Sequence, residues 1–507
     1  MAVTSVRTIS LLGLTGTLVD IEVDISDGLP IYTLLGLPDT ALMESKDRIR
    51  AALINSGENW PNRKVTVSLT PAWLPKSGSN FDLPIAVGLL RVQSLIPASD
   101  SLNEVLIGEL GLDGQLRPVR GVLPALLAAR KNGIKRAIVP AENFQEASLV
   151  TDLEVIAFAN LRQLLIYLRT GEKFESPQLQ LDPSELPTLN DLSEVSGQEI
   201  ARSALEIAAI GGHHLLFIGP PGTGKTMLAQ RIPGILPQLS NDQALEVTAI
   251  HSIAGNLNSG NLLTKQPPFV SPHHTTTATA MVGGGSHVIK PGAVSLAHNG
   301  VLFIDEAPEC HSGVLDALRQ PLESGEVTIT RAIGSVNFPA KFILVLAANP
   351  CPCGKFSGKG RACTCSAQQI RRYATKLSGP LLDRIDIRLQ VDPPTRVELA
   401  STELGESSMA VRERVSIARQ KASKRFNQYP WRMNSEIPAK YLRNEFRAEK
   451  GAMALLHIEL EKERLSARGF HKVLRLAWSI ADSQQHEIPI KADVEKAISL
   501  RMGAELF

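Results

Sequence analysis

One stretch of the chain combines the residue types and the spacing that hold a triphosphate. The apolar run Leu215–Ile218 is followed by G-P-P-G-T-G-K-T at 219–226. Glycines let a backbone approach phosphate oxygens and adopt the φ angles of an anion-binding nest. A helix that begins near Lys225 would direct its first N–H groups and its positive dipole end to the same oxygens. The predicted phosphate-binding loop consists of Gly219, Pro220, Pro221, Gly222, Thr223, Gly224, Lys225 and Thr226.

The pattern G-x-x-x-x-G-K-T predicts specific tasks for its last two residues. Lys225 would reach the β- and γ-phosphates of ATP, and the Thr226 hydroxyl would ligate Mg²⁺. A plain Gly-Pro turn between a strand and a helix is the alternative. The apolar residues at 227–229 favour the phosphate loop, because that motif needs a helix directly after it.

A second apolar run further along the chain ends in two acidic residues. Gly300–Ile304 has the continuous apolar pattern of a buried parallel strand, and Asp305 and Glu306 follow it. Ligands bind at the carboxyl ends of such strands. Asp305 would hold Mg²⁺ through water, and Glu306 would polarise the water that attacks the γ-phosphate. A solvated acidic turn is the alternative interpretation.

The bulk composition is typical of a globular protein and excludes several classes. The 507 residues are 43% hydrophobic and 21% charged, with a net charge of +2, so any contact with nucleic acid must be a local patch. Residues 1–10 have no pattern of a secretory leader, and no apolar run approaches membrane-spanning length. Of five cysteines, four lie between 351 and 365. This usage predicts a reducing compartment and a cytoplasmic protein without membrane contact.

The chain divides into four regions by composition and periodicity. Residues 1–170 have a mixed α/β pattern, with strands expected at 65–69 and 137–140 and helices at 83–90 and 122–131. Residues 171–192 are rich in proline and acids and are predicted to be a linker. A nucleotide-binding core is expected at 193–395, beginning with a helix at 198–210. The pattern at 396–507 is helical.

The stretches around these motifs resemble AAA+ ATPases of the magnesium-chelatase-like branch, and closely resemble the YifB/ComM family, over essentially the whole chain. The stretches that carry the resemblance are GPPGTGKTMLAQRIPGILP (219–237), PHHTTTATAMVGGG (272–285), KPGAVSLAHNGVLFIDE (290–306), LRQPLESGEVTITRA (318–332), AANPCPCG (347–354) and LSARGFHKVLRLAWSIAD (465–482). The resemblance implies an α/β fold with a central P-loop parallel sheet, an insertion in its second helix, a hairpin before sensor 1 and a C-terminal helical lid.

The resemblance also implies three further catalytic positions. Asn349, after an apolar strand, matches sensor 1, an amide that positions the attacking water; a turn Asn before proline is the alternative. Arg384 matches the arginine finger, which reaches the γ-phosphate of the next subunit and offsets transition-state charge; a surface Arg–Asp cluster is the alternative. Arg468 matches sensor 2, with Arg475 on the same helix as an alternative. Whether Arg468 serves its own site or its neighbour's stays open.

Two segments resemble the pore-facing insertions of this branch. Residues 272–299 match the helix insertion, and the alternating pattern at 325–340 predicts a β-hairpin. In the ring ATPases of the branch both project into the central pore, which makes Lys290 and Arg331 candidate DNA contacts. Solvated charges without a partner are the alternative. The adjacent histidines at 273–274 are expected to form local hydrogen bonds.

The N-terminal region resembles the Lon protease catalytic domain in a degenerate form. The matching segments are 74–82 and 126–134. The position of the nucleophilic serine aligns with Asn80, and the position of the dyad lysine falls near Leu123. An amide cannot serve as the acyl-forming hydroxyl and leucine cannot serve as its base. The expected role is a scaffold or a DNA-binding module, with a dyad shifted to 76–79 as the alternative.

Two C-x-C pairs predict a metal site. Four thiolates can form a closed tetrahedral zinc site, and the expected ligands are Cys351, Cys353, Cys363 and Cys365. The segment between the pairs is basic, with Lys355, Lys359 and Arg361. Because C-x-C is tighter than the usual C-x₂-C spacing, four free thiols are the alternative.

These observations predict an ATPase with ATP and Mg²⁺ as cofactors and Zn²⁺ as a possible third. The finger Arg384 implies a homo-oligomeric ring, with a hexamer expected. By resemblance, the motor would act on single-stranded or branched DNA, as a branch-migration helicase in recombination or natural transformation. The alternative is a chelatase-type subunit that remodels a protein partner. An ATP-dependent protease is disfavoured by the missing Ser–Lys pair.

Overall fold

The computed structural model describes residues 3–97, 103–174, 190–257, 263, 265–285, 289–331, 334–356, 362–395, 398 and 405–503. The strands are β1 (Val3–Leu12), β2 (Thr15–Ser26), β3 (Tyr32–Leu35), β4 (Lys64–Thr70), β5 (Glu104–Leu106), β6 (Glu109–Leu110), β7 (Leu116–Arg117), β8 (Arg136–Pro140), β9 (Glu154–Phe158), β10 (Leu215–Ile218), β11 (Phe269–Val270), β12 (Gly283–Gly284), β13 (Lys290–Pro291), β14 (Gly300–Ile304), β15 (Glu326–Arg331), β16 (Gly334–Pro339), β17 (Phe342–Ala348) and β18 (Ile387–Gln390).

The α-helices follow in the same numbering order. They are α1 (Thr40–Met43), α2 (Ser45–Asn55), α3 (Asp82–Val92), α4 (Val122–Lys131), α5 (Phe144–Ala147), α6 (Leu161–Thr170), α7 (Glu199–Gly211), α8 (Lys225–Ile235), α9 (Asn241–Ala254), α10 (Ala278–Val282), α11 (Ala293–Leu296), α12 (Ser312–Ala317), α13 (Arg319–Ser324), α14 (Ala367–Ala374), α15 (Gly379–Leu382), α16 (Ser408–Arg425), α17 (Ala439–Leu442), α18 (Lys450–Glu461), α19 (Ala467–Ser483) and α20 (Lys491–Met502).

The N-terminal part is built on two larger sheets, beside the short antiparallel pair β6-β7. One has the order β1-β2-β4-β3, in which only β3 and β4 run parallel, and the other is the parallel sheet β5-β8-β9. Helices α3 and α4 pack against β1 and β2. The two helices cover opposite faces of this sheet: Val6 and Ile21 lie in the core with α3, whereas Ile9 and Leu18 pack with α4.

The central part is a five-stranded parallel sheet with the order β11-β14-β17-β10-β18. Its strands are continuous apolar runs because both faces are covered. Leu215 and Phe217 of β10 face one core, which also holds α7, α8 and the C-terminal helices. Leu216 and Ile218 face a second core, which includes the hairpin β15–β16. The strand that precedes the phosphate loop is therefore fixed from both sides.

The C-terminal helices share a core with the sheet. Val415 of α16 and Val473 of α19 are fully buried in the cluster that contains β10. Two helices of the central part begin with a capping box, in which a serine and a glutamine satisfy orphan N–H groups: Ser240 with Gln243 at α9, and Ser366 with Gln369 at α14. These caps fix where the helices start.

Among the described residues, the N-terminal and central parts contact each other at α9 and at the hairpin β15–β16. The Ser252 hydroxyl of α9 donates to buried Glu146 and accepts from the backbone N–H of Gly121 at 3.0 Å. The turn between β1 and β2 lies against the hairpin β15–β16, because a Cβ on Gly13 would come within 2.2 Å of Val336. The mixed N-terminal part is thus attached both to a core helix and to the hairpin.

The predicted elements agree closely with the observed ones. The expected helix at 122–131 is α4, the helix at 198–210 is α7 shifted by one residue, and the hairpin at 325–340 is β15–β16. The mixed α/β fold class, with its parallel sheet and helical C-terminal region, is confirmed. Most of the predicted linker at 171–192 lies outside the described residues.

Candidate active site

The phosphate loop lies at the carboxyl edge of the sheet, between β10 and α8. Gly222 and Gly224 have φ of +79° and +89°, a left-handed conformation that glycine adopts without strain. A Cβ built on either glycine would meet nothing within 4 Å, so open space borders both. Gly219 has no such room, since its Cβ would lie 2.2 Å from the Val391 carbonyl oxygen. The loop therefore offers its open side to a ligand and its closed side to the sheet.

The Lys225 ammonium lies inside this loop and is almost fully buried. It donates to the carbonyl oxygens of Gly219 at 2.7 Å and Pro220 at 2.9 Å, and to Asn349 Oδ1 at 3.2 Å. Burial lowers the pKa of Lys225, and the carboxylates of Asp305 and Glu306 partly oppose that shift. A buried cation whose hydrogen bonds all go to neutral oxygens fits an anionic ligand, which is what a triphosphate would supply.

The structure brings together the residues that the sequence assigned to magnesium. The Thr226 hydroxyl donates to Asp305 Oδ2 at 2.7 Å, although the two residues come from different elements. A hydroxyl and a carboxylate at this spacing are oxygen ligands of the kind Mg²⁺ prefers. Thr226 and Asp305 are thus the residues that would hold the ion beside the phosphate loop.

Glu306 follows directly and has a backbone conformation unusual for its type. Its φ is +48° and its ψ is +40°, a left-handed conformation that non-glycine residues rarely adopt. Its backbone N–H donates to Asp305 Oδ1 at 2.8 Å, and its side chain is half exposed. This turn separates the two carboxylates. Asp305 bonds to Thr226, whereas Glu306 is exposed and lies near His274.

His274 is a residue of this site that the sequence reasoning missed. Its Nδ1 lies 3.4 Å from Glu306 Oε2, and its ring lies 4.1 Å from that of His273. His273 bonds locally, to the Thr275 hydroxyl at 2.8 Å, as expected for this loop. His274 does not, and it connects the insertion that begins at 272 to the acidic strand end. Only the resemblance-bearing PHH motif gave a signal for it.

We expect His274→Ala to lower ATP turnover by about three- to tenfold with little change in nucleotide affinity. The variant removes a contact to the Glu306 carboxylate and no contact to the phosphate loop, and general-base geometry affects the rate more than binding. Steady-state hydrolysis and equilibrium nucleotide binding measure the two effects separately. His457→Ala, an exposed histidine on α18, is the control. Equal turnover in both variants would show that the contact has no role in hydrolysis.

Arg384 lies at the opposite edge of the sheet from the phosphate loop. It precedes β18, whose first residue Ile387 pairs with Leu215 at the start of parallel strand β10, whereas the phosphate loop follows the end of β10. About 10 Å of strand separates those two edges. In this chain the guanidinium donates to Glu323 at 2.8 Å and to the Pro380 carbonyl oxygen at 2.9 Å. The geometry directs Arg384 away from its own nucleotide loop.

Arg468 lies at the same edge as Arg384. Its Nη1 is 3.3 Å from Asp383 Oδ2, and its side chain is 60% exposed, so a ligand can reach it. Arg475, the alternative on the same helix, is partly buried and donates to the Ile437 carbonyl oxygen at 2.9 Å. Arg384 and Arg468 both line a groove of about 720 Å³. The structure thus brings these two arginines together and separates both from the phosphate loop.

A buried ion pair supports the backbone beneath Arg384. The Lys472 ammonium contacts Asp386 and also donates to the Arg384 carbonyl oxygen at 2.9 Å. Burial alone would raise the pKa of Asp386, but the Lys472 ammonium and the imidazoles of His213 and His214 hold it well below its usual range. Asp386 therefore stays ionised and fixes the turn that carries Arg384.

The candidate pore residues Lys290 and Arg331 come from different segments but lie close together. Lys290 of β13 pairs with Gly284 of β12, and a Cβ on Gly284 would lie 3.3 Å from Arg331 Nη2. Both side chains are exposed. The insertion and the hairpin therefore pack on each other and present two cations on one surface.

The four predicted metal ligands converge, whereas the degenerate protease positions have no catalytic geometry in the structure. The sulfur atoms of Cys351, Cys353, Cys363 and Cys365 all lie within 4.8 Å of one another. The Asn80 side-chain amide donates to the Ile9 carbonyl oxygen in a long hydrogen bond of 3.4 Å, and Leu123 is fully buried in α4. Lys76 is buried with its ammonium bonded to the carbonyl oxygens of Leu69 and Pro71. Of the basic residues near the cysteines, Lys359 and Arg361 lie outside the described residues.

Among the described residues, every helix is too short or too polar to cross a lipid bilayer.

Comparison with known families covers most of the chain. Residues 191–399 match the model of magnesium chelatase subunit ChlI, and residues 405–501 match the model of its C-terminal region. Residues 21–143 match a further model, described as subunit ChlI of Mg-chelatase.

Full-length relatives are also found. An uncharacterised protein of Mycobacterium tuberculosis is 47% identical over 501 residues, covering 99% of both chains. The uncharacterised protein YifB of Escherichia coli is 41% identical and covers 99% of this chain and 97% of its own length. Competence protein ComM of Haemophilus influenzae is 41% identical over 98% of this chain and 96% of its own. The magnesium-chelatase 38 kDa subunit of Rhodobacter capsulatus is 29% identical over only 31% of this chain.

Proposed function

Because the chain belongs to the magnesium-chelatase-like YifB/ComM family of AAA+ ATPases, we propose that it assembles into a ring and uses ATP hydrolysis to move on DNA. The family implies ATP and Mg²⁺. Ring assembly is supported by one observation above all: Arg384 and Arg468 are separated from the phosphate loop of their own chain. Branch migration in recombination or natural transformation is the activity we infer.

The phosphate-binding, magnesium-binding and water-activating residues of each nucleotide site come from the carboxyl edge of one chain's sheet. Gly222 and Gly224 cradle the phosphates, and Lys225 leaves its carbonyl partners to meet the β- and γ-oxygens. Thr226 and Asp305 would hold Mg²⁺, and the ion would neutralise developing phosphate charge when bound. Glu306 accepts a proton from the attacking water, and Asn349 orients that water from the Lys225 side.

The site is completed by a second copy of the chain. Arg384 is held by Glu323 in the single chain, and a neighbour's γ-phosphate would replace that partner. A guanidinium stabilises the transferring phosphoryl group best when it can approach it bidentately. Arg468, exposed in the same groove, would act in trans as well. We infer a homo-hexamer, because a closed ring lets every site receive arginines from the next subunit.

The DNA surface is the patch formed by Lys290 and Arg331 on the packed insertion and hairpin. Both side chains are exposed cations, and such cations contact backbone phosphates without sequence preference. The name of the Haemophilus relative, a competence protein, supports a DNA substrate. His274 supports coupling, since it lies in the same insertion and contacts Glu306. The N-terminal part, without a Ser–Lys pair at the aligned positions, would serve as a scaffold or a DNA-binding module.

We expect Arg331→Ala and Lys290→Ala to reduce DNA-stimulated ATPase several-fold more than basal ATPase. These side chains would contact phosphates of DNA and not the nucleotide, and DNA affinity should fall steeply with salt. Hydrolysis with and without single-stranded, duplex and branched DNA at two salt concentrations measures both effects. Lys496→Ala, an exposed lysine on α20 that bonds Ser203, is the control. Equal DNA stimulation in all three variants would contradict the assignment of Lys290 and Arg331 as DNA contacts.

A chelatase-type subunit that remodels a protein partner is the second candidate. It is favoured by the match of residues 191–399 to the chelatase model, but the chelatase 38 kDa subunit is matched over only 31% of this chain. Such a protein would hydrolyse ATP without any response to DNA. The DNA experiment therefore separates the two functions.

The four cysteines are the second metal site of the proposal, and we assign Zn²⁺ to it. Cys351 is fully buried and its three partners are half-buried. A small cluster of four thiols that has no disulfide is the ligand set of a closed structural zinc site.

A further inference from the structure

The spacing of three of the four sulfur atoms matches a tetrahedral metal site, and the fourth lies within 4.8 Å of each of them. Cys351 Sγ lies 3.4 Å from Cys353 Sγ and 3.7 Å from Cys363 Sγ, and Cys353 Sγ lies 3.7 Å from Cys363 Sγ. With Zn–S bonds of about 2.3 Å, tetrahedral geometry separates neighbouring sulfurs by about 3.8 Å. The backbone N–H of Cys365 donates to Cys363 Sγ, which helps to hold that sulfur in place. The four sulfurs therefore lie close enough together to bind one ion.

The first pair of cysteines, Cys351 and Cys353, follows closely after β17, the strand that precedes Asn349. β17 ends at Ala348, Asn349 follows, and Cys351 comes two residues later. The Asn349 side chain accepts from the Lys225 ammonium at 3.2 Å. Fixing Cys351 therefore fixes an amide that contacts the phosphate loop.

The turn that contains this first pair also packs against the phosphate loop itself. The turn 351–354 is closed by the Gly354 N–H donating to the Cys351 carbonyl oxygen at 2.9 Å. Gly354 has φ of +72°, and a Cβ there would lie 2.6 Å from Pro221 Cδ. Only glycine fits this contact, so the backbone of the cysteine turn lies directly on Pro221.

The second pair of cysteines, Cys363 and Cys365, leads to a contact with the backbone of Asn349. Cys365 is followed by Ser366, the N-cap of α14. Tyr373 of α14 is nearly fully buried and its hydroxyl is hydrogen-bonded to the backbone of Asn349. A metal that joins the two pairs would hold Asn349 between Lys225 and Tyr373.

We propose that one Zn²⁺ bound by Cys351, Cys353, Cys363 and Cys365 acts as a clip on the nucleotide site, fixing Asn349 and Pro221 relative to Lys225. Nucleotide affinity and turnover then depend on the metal. This inference rests on the proposed ATPase and zinc assignment, and extends it by giving the metal a positioning role. Joining two chain segments through one ion removes freedom that the metal-free loop would have.

The test uses the full-length protein, purified under reducing conditions without chelator. Elemental analysis should find about one zinc per chain. Cys363→Ser should lose the zinc, bind a fluorescent ATP analogue about tenfold more weakly and lose turnover on the order of 10²-fold, as expected for a misplaced catalytic group. Gly354→Ala should keep the zinc and still weaken analogue binding, because its Cβ displaces Pro221. Cys310→Ala, which removes the fifth, separate cysteine, should leave zinc and binding unchanged.

Three results would overturn the clip. The first is wild-type protein without zinc, or with iron in its place. The second is a zinc-free Cys363→Ser protein with wild-type affinity and turnover. The third is Gly354→Ala protein with wild-type affinity, which keeps the test decisive if Cys363→Ser does not fold. Zinc-loaded wild type that binds the analogue but never hydrolyses ATP would instead refute the proposed function, and the affinity measurements would still decide the clip.

Discussion

Glu306→Gln protein should bind ATP with nearly unchanged affinity and lose turnover by on the order of 10²-fold or more. Glutamine keeps the shape of the side chain but cannot accept a proton from water at neutral pH. The position supports this role: Glu306 follows β14, its left-handed turn separates it from Asp305, and its carboxylate is half exposed on the ligand side. Steady-state hydrolysis and equilibrium binding of a fluorescent analogue measure the two quantities.

Glu309→Gln is the matched control for this experiment. Glu309 lies three residues further on and pairs with Lys376 at 3.1 Å, so it has the same chemistry without the same position. Near-normal hydrolysis by Glu306→Gln, or an equal loss in both variants, would contradict the assignment of Glu306 as the base.

Arg384→Ala protein should bind nucleotide normally and hydrolyse it on the order of 10³-fold more slowly, as expected for loss of an arginine finger. Lys225→Ala protein should fail at binding instead. Mixing the two should restore part of the activity, because some interfaces would combine an intact phosphate loop from one chain with an intact finger from the next. Hydrolysis across mixing ratios, with subunit exchange verified by a labelled chain, measures the recovery.

The control for the finger is Arg63→Ala, an exposed arginine paired with Asp27 at 3.6 Å. It should leave hydrolysis unchanged alone and in mixtures. Absence of recovery at every ratio of Arg384→Ala to Lys225→Ala would mean that Arg384 acts within its own chain or only structurally.

Sequence periodicity predicted the strands and helices whose formation depends on neighbouring residues along the chain. The continuous apolar runs before Gly219 and Asp305 become the central parallel strands because both sheet faces are covered. The alternation at 325–340 becomes a hairpin with one buried face. The helix α4 agrees with its prediction at both ends. In each case the spacing of apolar residues predicts the element: every second residue for a strand with one buried face, a period of 3.6 for a helix, and an unbroken run for a strand buried on both faces.

Contacts between distant segments were not predictable in the same way. His274 reaches Glu306, Gly354 packs on Pro221 and Lys472 contacts Asp386, and in each pair the partners come from different elements. The edge of the sheet at which Arg468 lies was not predictable from the sequence, because it depends on tertiary contacts such as the ion pair with Asp383. Tertiary packing determines which of these residues meet, and a sequence pattern gives no spatial distance between residues of different elements.

The ATP hydrolysis rate of the wild-type protein with and without DNA tests most directly whether this chain is an ATP-driven motor on DNA. With ring assembly verified by mass measurement, we predict hydrolysis that single-stranded or branched DNA stimulates several-fold at low salt, with the stimulation lost as salt rises. An assembled ring that hydrolyses ATP at one rate with single-stranded, duplex and branched DNA would contradict the account and favour the protein-remodelling alternative.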